Sequence, residues 1–381
     1  MLRTSKRRAR EENETLELIS PFIKRLDISS INNISLDKEI KCYTYEIRKK
    51  STISGYLNLG KGFSEIGAKV SGLMEALEMS VIEMKAPIEW YSQTCFRNIE
   101  KNEKEVISEN SAMNKKYIYG EELITCTSIK QKYSEIVYLD KKLHAGKNIN
   151  RNKTNGLASG NSIEEATIHA IYELIERHHI SNYRVKPLAK IINMEKSAEF
   201  QQIITKLTLM GVRTTFYILG VMAESMTVEC CLTNETGKFR QSYECQGWGC
   251  SDDANIACSR ALAEAIQGLA LALALENDSY GLSSKTKEED GYGKEISNYR
   301  NDVKHRQGGF ISMREKAKIK KMDAKYILSK STERKLTLKK MIEQLKNEGY
   351  KTIERFTLTK ETLPFSVVKI IVPGLDCPRG L

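Results

Sequence analysis

The sequence predicts an α+β fold of mostly antiparallel strands with helices on one side. Three observations lead there. Segments around Glu75, Glu173 and Glu264 carry apolar residues at helical spacing. Short strand-like runs lie between them, bounded by turn signals such as Asn234-Glu-Thr-Gly237. A last helix over 332–347 is followed by two closing strands, 352–358 and 366–372.

In chain order, residues 1 to about 15 read as disordered or frayed, and 40–48, KCYTYEIRK, alternate as a strand. The run Gly55-Tyr-Leu-Asn-Leu-Gly60-Lys61-Gly62 departs by one residue from the P-loop pattern G-x-x-x-x-G-K-[ST]. Gly62 stands where a hydroxyl would bind Mg2+, so an ordinary P-loop is not expected. Lys61 reads either as reaching a phosphate from a Gly-rich turn at the start of the first helix, or as an exposed lysine in a flexible turn. That helix covers 64–86 and is stopped by Pro87. Segments 118–119, 123–126 and 135–139 are strand-like. The central helix opens on Ser162 as N-cap with Glu165 three residues on, a capping box, and continues through Ile168, Ile171, Tyr172 and Ile175. A helix over 198–210 precedes strands at 214–219, at 227–232 and near Ser242. Gly247-Trp-Gly249 leads into the third helix, 252 to about 275. Residues 276–330 are polar and read as a long mobile segment. Gly349 is placed to end the last helix.

Composition narrows the partners. The formal charge is +11, with much of the excess in the N-terminal KRRAR and in the tract 304–340. Neither stands beside an RNA-binding aromatic motif or a helix-turn-helix signature, so the charge reads as solvated surface and no nucleic-acid partner is expected. No apolar run approaches the roughly 18 residues of a membrane span, and the charged N-terminus lacks the apolar core of a signal peptide. The nine cysteines form no C-x-x-C pair, which points to reduced thiols in a cytoplasm. Cys245 and Cys250, the one suggestive pair, lack partners for a four-ligand zinc site.

The three helical segments share a skeleton. Glycine stands thirteen residues before the first glutamate in two of them (Gly62 and Glu75, Gly160 and Glu173). Alanine stands seven before it in all three: Ala68, Ala166 and Ala257, the last ahead of Glu264. Residues three and four apart share a helix face. The polar stripes are therefore Ser71, Glu75, Glu78; His169, Glu173, Glu176; and Arg260, Glu264, Gln267. One such stripe alone fits an ordinary amphipathic helix with a solvated acidic face. Three, spaced too widely for a solenoid, suit one composite site. Five carboxylates cannot gather without cations, and Mg2+ is commonly held by carboxylates plus substrate phosphates. The residues read as an acidic metal cluster that binds a polyphosphate through Mg2+, with Lys61, Arg177 and Arg260 available to phosphate oxygens.

On these residues the chain resembles the YcaO family. The carriers are Gly60-Lys61-Gly62 with Ser71, Glu75 and Glu78; the run Asn155-Gly-Leu-Ala-Ser-Gly-Asn161 with Glu165, Glu173, Glu176 and Arg177; then Arg260-Ala-Leu-Ala-Glu264-Ala-Ile-Gln267 and the Pro373-Gly-Leu turn. The resemblance runs from about residue 40 onward. It divides the chain into an N-terminal extension, 1–40, partly disordered, and a YcaO domain, 41–381, which contains the polar segment 276–330. It implies a non-P-loop ATP site on three glutamate-bearing helices. Glu75, Glu78, Glu173, Glu176 and Glu264 would hold Mg2+. Ser71, Asn161, Glu165, Arg177, Arg260 and Gln267 would contact nucleotide, and Lys61, Arg177 and Arg260 would serve catalysis.

The resemblance also implies the reaction. ATP phosphorylates a backbone amide oxygen of a peptide or protein substrate, a nucleophile adds to the amide carbon, and phosphate leaves. A Cys, Ser or Thr side chain as nucleophile gives an azoline; an external sulfide source, often with a TfuA-like partner, gives a thioamide. The proline-rich C-terminus of many azoline-forming members is missing, which weights the choice toward a thioamide. The arginine common after the glutamine is replaced by Gly268-Leu-Ala-Leu-Ala-Leu-Ala-Leu275, which favours a non-catalytic scaffold. The expectation is a thioamide-type enzyme with a TfuA-like partner. Azoline formation with a separate leader-peptide-binding partner is an alternative, and a non-catalytic scaffold another. No fused leader-binding or E1-like domain is read, and a homodimer fits the resemblance.

Overall fold

The computed structural model describes residues 8–50, 52, 57–97, 117–137, 154–182, 187–234, 244–276, 319–329 and 336–375. Three sheets carry the fold. The first has β1 (Ile28–Asn33), β2 (Tyr43–Lys49) and β3 (Leu57–Gly62) in that order, antiparallel. The second joins β4 (Tyr117–Glu122), β5 (Thr127–Lys132) and β6 (Leu157–Gly160) to the closing strands β12 (Glu354–Thr357) and β13 (Ser366–Ile371), in the order β5-β4-β12-β13-β6. The third runs β10-β9-β8-β7-β11, from β7 (Ala189–Ile192), β8 (Val212–Met222), β9 (Ser225–Asn234), β10 (Glu244–Ser251) and β11 (Lys321–Asp323). Only β7 and β11 pair in parallel among the described strands, as the α+β expectation requires.

The sheets are arranged around three helices. Edge strands β3, β6 and β10 each turn directly into α2 (Glu65–Ile82), α4 (Ile163–Asn182) and α6 (Ala254–Glu276). Each helix packs back on its own edge strand and also touches the edge strand of another sheet: α2 on β6, α4 on β10, α6 on β3. The three units therefore close in a ring, with the helices inside. The shared glycine and alanine positions explain how the first two of these turns close. A Cβ on Gly62 would lie 2.8 Å from the Ala68 nitrogen, and one on Gly160 would lie 2.6 Å from the Ala166 nitrogen. Backbone cannot yield to such contacts, so only glycine lets strand and helix meet this closely.

Burial follows the same plan. One apolar cluster lies under α2 between the first and second sheets, one under α6 on the third, and one around α4 between the second and third. α6 is long and apolar enough to cross a membrane by composition, but 78% of its apolar window, Ala254–Ala274, is buried inside the protein, which is the pattern of a core helix. Among the described residues, no disulfide joins the eight cysteines to one another.

Several local expectations are corrected. Residues 12–15, read as frayed, begin α1 (Glu12–Ile23), whose Ile19 and Ile23 are buried beside Phe22, Trp90 and Phe365. Pro21 lies inside that helix, so the local pattern reads as broken. Residues 1–7 lie outside the described residues. Segment 123–126 is the turn between β4 and β5. Glu122 holds it by accepting from the Ile124, Thr125 and Ile353 nitrogens. Burial acts to raise the Glu122 pKa, but these donors outweigh it and hold it down to about 2. Residues 135–136 of the run 135–139 instead end a short helix, α3 (Tyr133–Ile136), and 138–139 lie outside the described residues. Gly247-Trp-Gly249 leads into the third helix as expected, and does so as part of β10. The end of the polar segment holds β11 and α7 (Ala324–Ser329); residues 277–318, Asn234-Glu-Thr-Gly237 beyond its first residue, and Ser242 lie outside the described residues. α5 (Ala198–Leu209) and α8 (Leu338–Asn347) stand where helices were expected, and Gly349, with φ +99°, ends α8.

Candidate functional site

The ring places the three polar stripes face to face. Lys61 does not sit in a Gly-rich turn. It is the fifth residue of β3, and its Nζ donates to Glu264 Oε2 of α6 at 2.5 Å. Gly60 and Gly62 serve the approach of α2 rather than a phosphate loop: a Cβ on Gly60 would stand 2.0 Å from the Ala68 carbonyl oxygen.

The glutamates share one electrostatic field. Burial pushes Glu75 up to about 7; Lys61 and the Leu59 backbone oppose it, while Glu264 and Glu173 add to it. Burial likewise pushes Glu78 up to about 7 against the hydrogen bonds from Ser159, with Glu75 adding to the rise. Glu173 reaches about 8, from burial first, with Arg177 opposing and Glu78 and Glu176 adding. Glu176 is raised by burial and by Glu264, with Arg260, Arg177 and Lys61 opposing. Carboxylates from α2, α4 and α6 thus meet, together with three cations. Glu75, Glu78 and Glu173 are half-buried, so chain surrounds them while each keeps some solvent contact, as on the walls of a recess.

Two polar atoms there are buried without a partner among the described residues: Glu176 Oε2 and Gln267 Nε2. Such atoms are costly unless something else satisfies them. The donor set is carboxylate oxygen, which suits a hard divalent cation, and the surrounding Lys61, Arg177 and Arg260 suit an anionic ligand. Among the described residues, no three acidic, histidine or cysteine side chains form a ready-made metal cage. Like charges held apart in this way leave room for a cation that brings waters and phosphate oxygens with it. The residues fit Mg2+ with a polyphosphate.

The remaining predicted residues form the rim. Ser162 Oγ accepts from the Glu165 nitrogen at 3.1 Å, as a cap should. The Glu165 carboxylate instead accepts from Asn161 Nδ2 at 3.2 and 3.3 Å and from the Ala9 nitrogen at 2.8 Å. Thr15 Oγ1 reaches Asn161 Oδ1 at 3.0 Å, and Arg10 donates to the Asn161 carbonyl. Asn161 and Glu165 are therefore bound to each other and to the start of α1. Ser71 stands one turn before Glu75, half-buried.

Sequence reasoning missed two participants and undervalued a third. Arg8 reads as surface charge in the sequence, yet it lies near His169. Burial, Arg260, Arg8 and Lys61 push the His169 pKa down to about 3, so that imidazole is neutral among cations. Ser159 of β6 holds Glu78: its N–H and its hydroxyl both donate to Glu78 Oε1, at 2.6 and 2.5 Å. No spacing rule flags a serine on an edge strand.

Comparison with known proteins finds a family model and several solved structures of similar fold. The family model described as YcaO cyclodehydratase, ATP- and Mg2+-binding, matches residues 59–376. A solved structure of YcaO from Methanopyrus kandleri, bound with AMPPCP and Mg2+, has a TM-score of 0.66 at 19% identity and covers 99% of this chain and 95% of its own. A heterocyclase in complex with substrate and cofactor has a TM-score of 0.63 at 16% identity, covering 98% of this chain but 53% of its own, so this chain spans about half of that protein. The E. coli microcin synthetase McbBCD complex has a TM-score of 0.57 at 12% identity, with 92% and 88% covered. No curated protein matches the sequence.

Proposed function

This chain belongs to the YcaO cyclodehydratase family, an ATP- and Mg2+-binding family, and from that premise we propose that it uses ATP to activate a backbone amide of a peptide or protein, leaning to thioamide formation with a TfuA-like partner. The observation that carries the reading is the convergence of glutamates from three helices with Lys61, Arg177 and Arg260 around the unpartnered Glu176 Oε2 and Gln267 Nε2. Glu75, Glu78, Glu173, Glu176 and Glu264 would hold Mg2+. Ser71, Asn161, Glu165, Arg177, Arg260 and Gln267 would contact the nucleotide. Bound Mg2+ would supply charge neutralisation at the phosphates. Lys61, Arg177 and Arg260 orient phosphate oxygens and stabilise the charge that develops on them. In the proposed step the amide oxygen takes the terminal phosphoryl group and ADP leaves. A sulfur nucleophile then adds to the amide carbon, and the carbon–oxygen bond breaks to release inorganic phosphate.

The solved microcin synthetase is a multi-protein complex, which supports a separate partner here. The lack of a disulfide among the described cysteines supports a reducing, cytoplasmic setting. The family domain is proposed to span 41–381, with residues 1–40 an extension that docks through α1 and β1. Azoline formation with a leader-peptide-binding partner is the second reading, favoured by the description of the family as cyclodehydratases.

The test is a peptide labelled with heavy oxygen in its backbone amides, incubated with the chain, partner, ATP, Mg2+ and a sulfide source. Label recovered in inorganic phosphate, with sulfur replacing oxygen in the peptide, is the expected result. Loss of water without sulfur gain would establish the azoline reading. ATP turnover with no label in phosphate would sink both.

A further inference from the structure

Glu78 differs from the other glutamates in how it is held. Ser159 is buried on β6, the edge strand of the second sheet, and points two donors at one oxygen of a carboxylate carried by α2. An edge strand normally leaves backbone N–H groups unpaired; here one is spent on a side chain of the site. Among the described residues Glu78 Oε1 takes both bonds and Oε2 takes none. Two charge-assisted donors on one oxygen fix the rotation of the carboxylate and favour its ionised form.

Resting on the proposed Mg-nucleotide site, we infer that Ser159 is a positioning residue of that site: it clamps Glu78 through Oε1 and presents Oε2 alone as the oxygen available to a cation. The hydroxyl makes this specific, because any residue but proline at 159 would supply the backbone N–H. Ser159 touches neither substrate nor nucleotide in this account and acts through Glu78.

The test compares Ser159→Thr, which keeps the hydroxyl, with Ser159→Val, which has the same shape without it, and with Ser159→Ala. Calorimetry with Mg2+ alone, and with Mg2+ plus a non-hydrolysable ATP analogue, reads the Mg2+ concentration for half-saturation. Losing an outer partner of a metal ligand typically costs 10–100-fold in metal affinity, and the surviving N–H puts the expected loss near ~10-fold for Val and Ala. Thr is expected to stay within about 2-fold of wild type, near the limit of such measurements, and all three variants to melt with one cooperative transition. Thr and Val behaving alike, whether both weakened or both unchanged, overturns the inference while leaving the nucleotide site standing. A wild-type chain without any Mg2+-dependent nucleotide binding overturns both.

Discussion

Lys61 Nζ lies 2.5 Å from Glu264 Oε2, although the two residues are 203 positions apart. The pair ties β3 of the first sheet to α6, which rests on the third, and its side chains are 24% and 27% exposed. It is one of the contacts between α6 and β3 that close the ring beside the acidic recess. Lys61→Met is expected to destabilise the metal-free protein by about 2 kcal/mol, between the value of an exposed pair and that of a fully buried one. Glu264→Gln added to it should restore most of that loss. Chemical denaturation of the single and double variants checks this; an additive double variant would contradict it.

The recess also sets a pH dependence. Glu75, Glu78 and Glu173 have folded pKa values of about 7, about 7 and about 8 against an ordinary 4.5, chiefly through burial. The folded state holds these protons more tightly than the unfolded chain. The stability they contribute is therefore fully present below pH 4.5 and is lost as pH rises through 7 and 8. Thermal unfolding of metal-free protein across that window should show falling stability, and the fall should be shallower in Glu173→Gln. Identical slopes in the two proteins would count against the cluster.

The same repulsion predicts a stabilising variant. Glu173→Gln removes one like charge from the recess and is expected to raise the stability of the metal-free protein at pH 8 by about 1 kcal/mol, as function-costing substitutions at strained sites often do. Mg-nucleotide binding by that variant should be lost. A destabilised variant that still binds would oppose the assignment of Glu173.

Much of this site was legible in the sequence because helical periodicity is local. Glu75 and Glu78, Glu173 and Glu176, and Glu264 and Gln267 announce shared faces without knowledge of the fold. The seven-residue offset to alanine also marks a real packing site, Ala68 against Gly60 and Ala166 against Gly160. What stayed hidden depends on contacts between distant residues. Whether Gly60-Lys61-Gly62 is a phosphate loop or a strand is decided by pairing with Tyr43–Tyr45 and by the approach of α2. The pairing of β6 with β13, more than two hundred residues later, has no local signature, and without it nothing brings Ser159 to Glu78. Arg8 reads as one charge in a basic run until the fold sets it beside His169.

The glycines supply a packing test. Gly60→Ala would drive a Cβ to 2.0 Å from the Ala68 carbonyl oxygen, and backbone on both sides cannot relax cheaply. A loss of about 3 kcal/mol or more is expected. Gly268→Ala on α6 meets nothing closer than Cys245 Cβ at 3.7 Å and gains helix propensity, so it should stabilise by about 0.5–1 kcal/mol. Denaturant midpoints of the two variants check both; equal effects would contradict the strand–helix approach described here.

The measurement that tests the central claim most directly is calorimetric titration of the purified chain with a non-hydrolysable ATP analogue in the presence and absence of Mg2+, beside the Glu176→Gln variant. The account predicts saturable binding that requires Mg2+ and is lost in the variant, because Glu176 Oε2 is a buried carboxylate oxygen of the site without a partner among the described residues. Binding that is independent of Mg2+, or unchanged in Glu176→Gln, would contradict it.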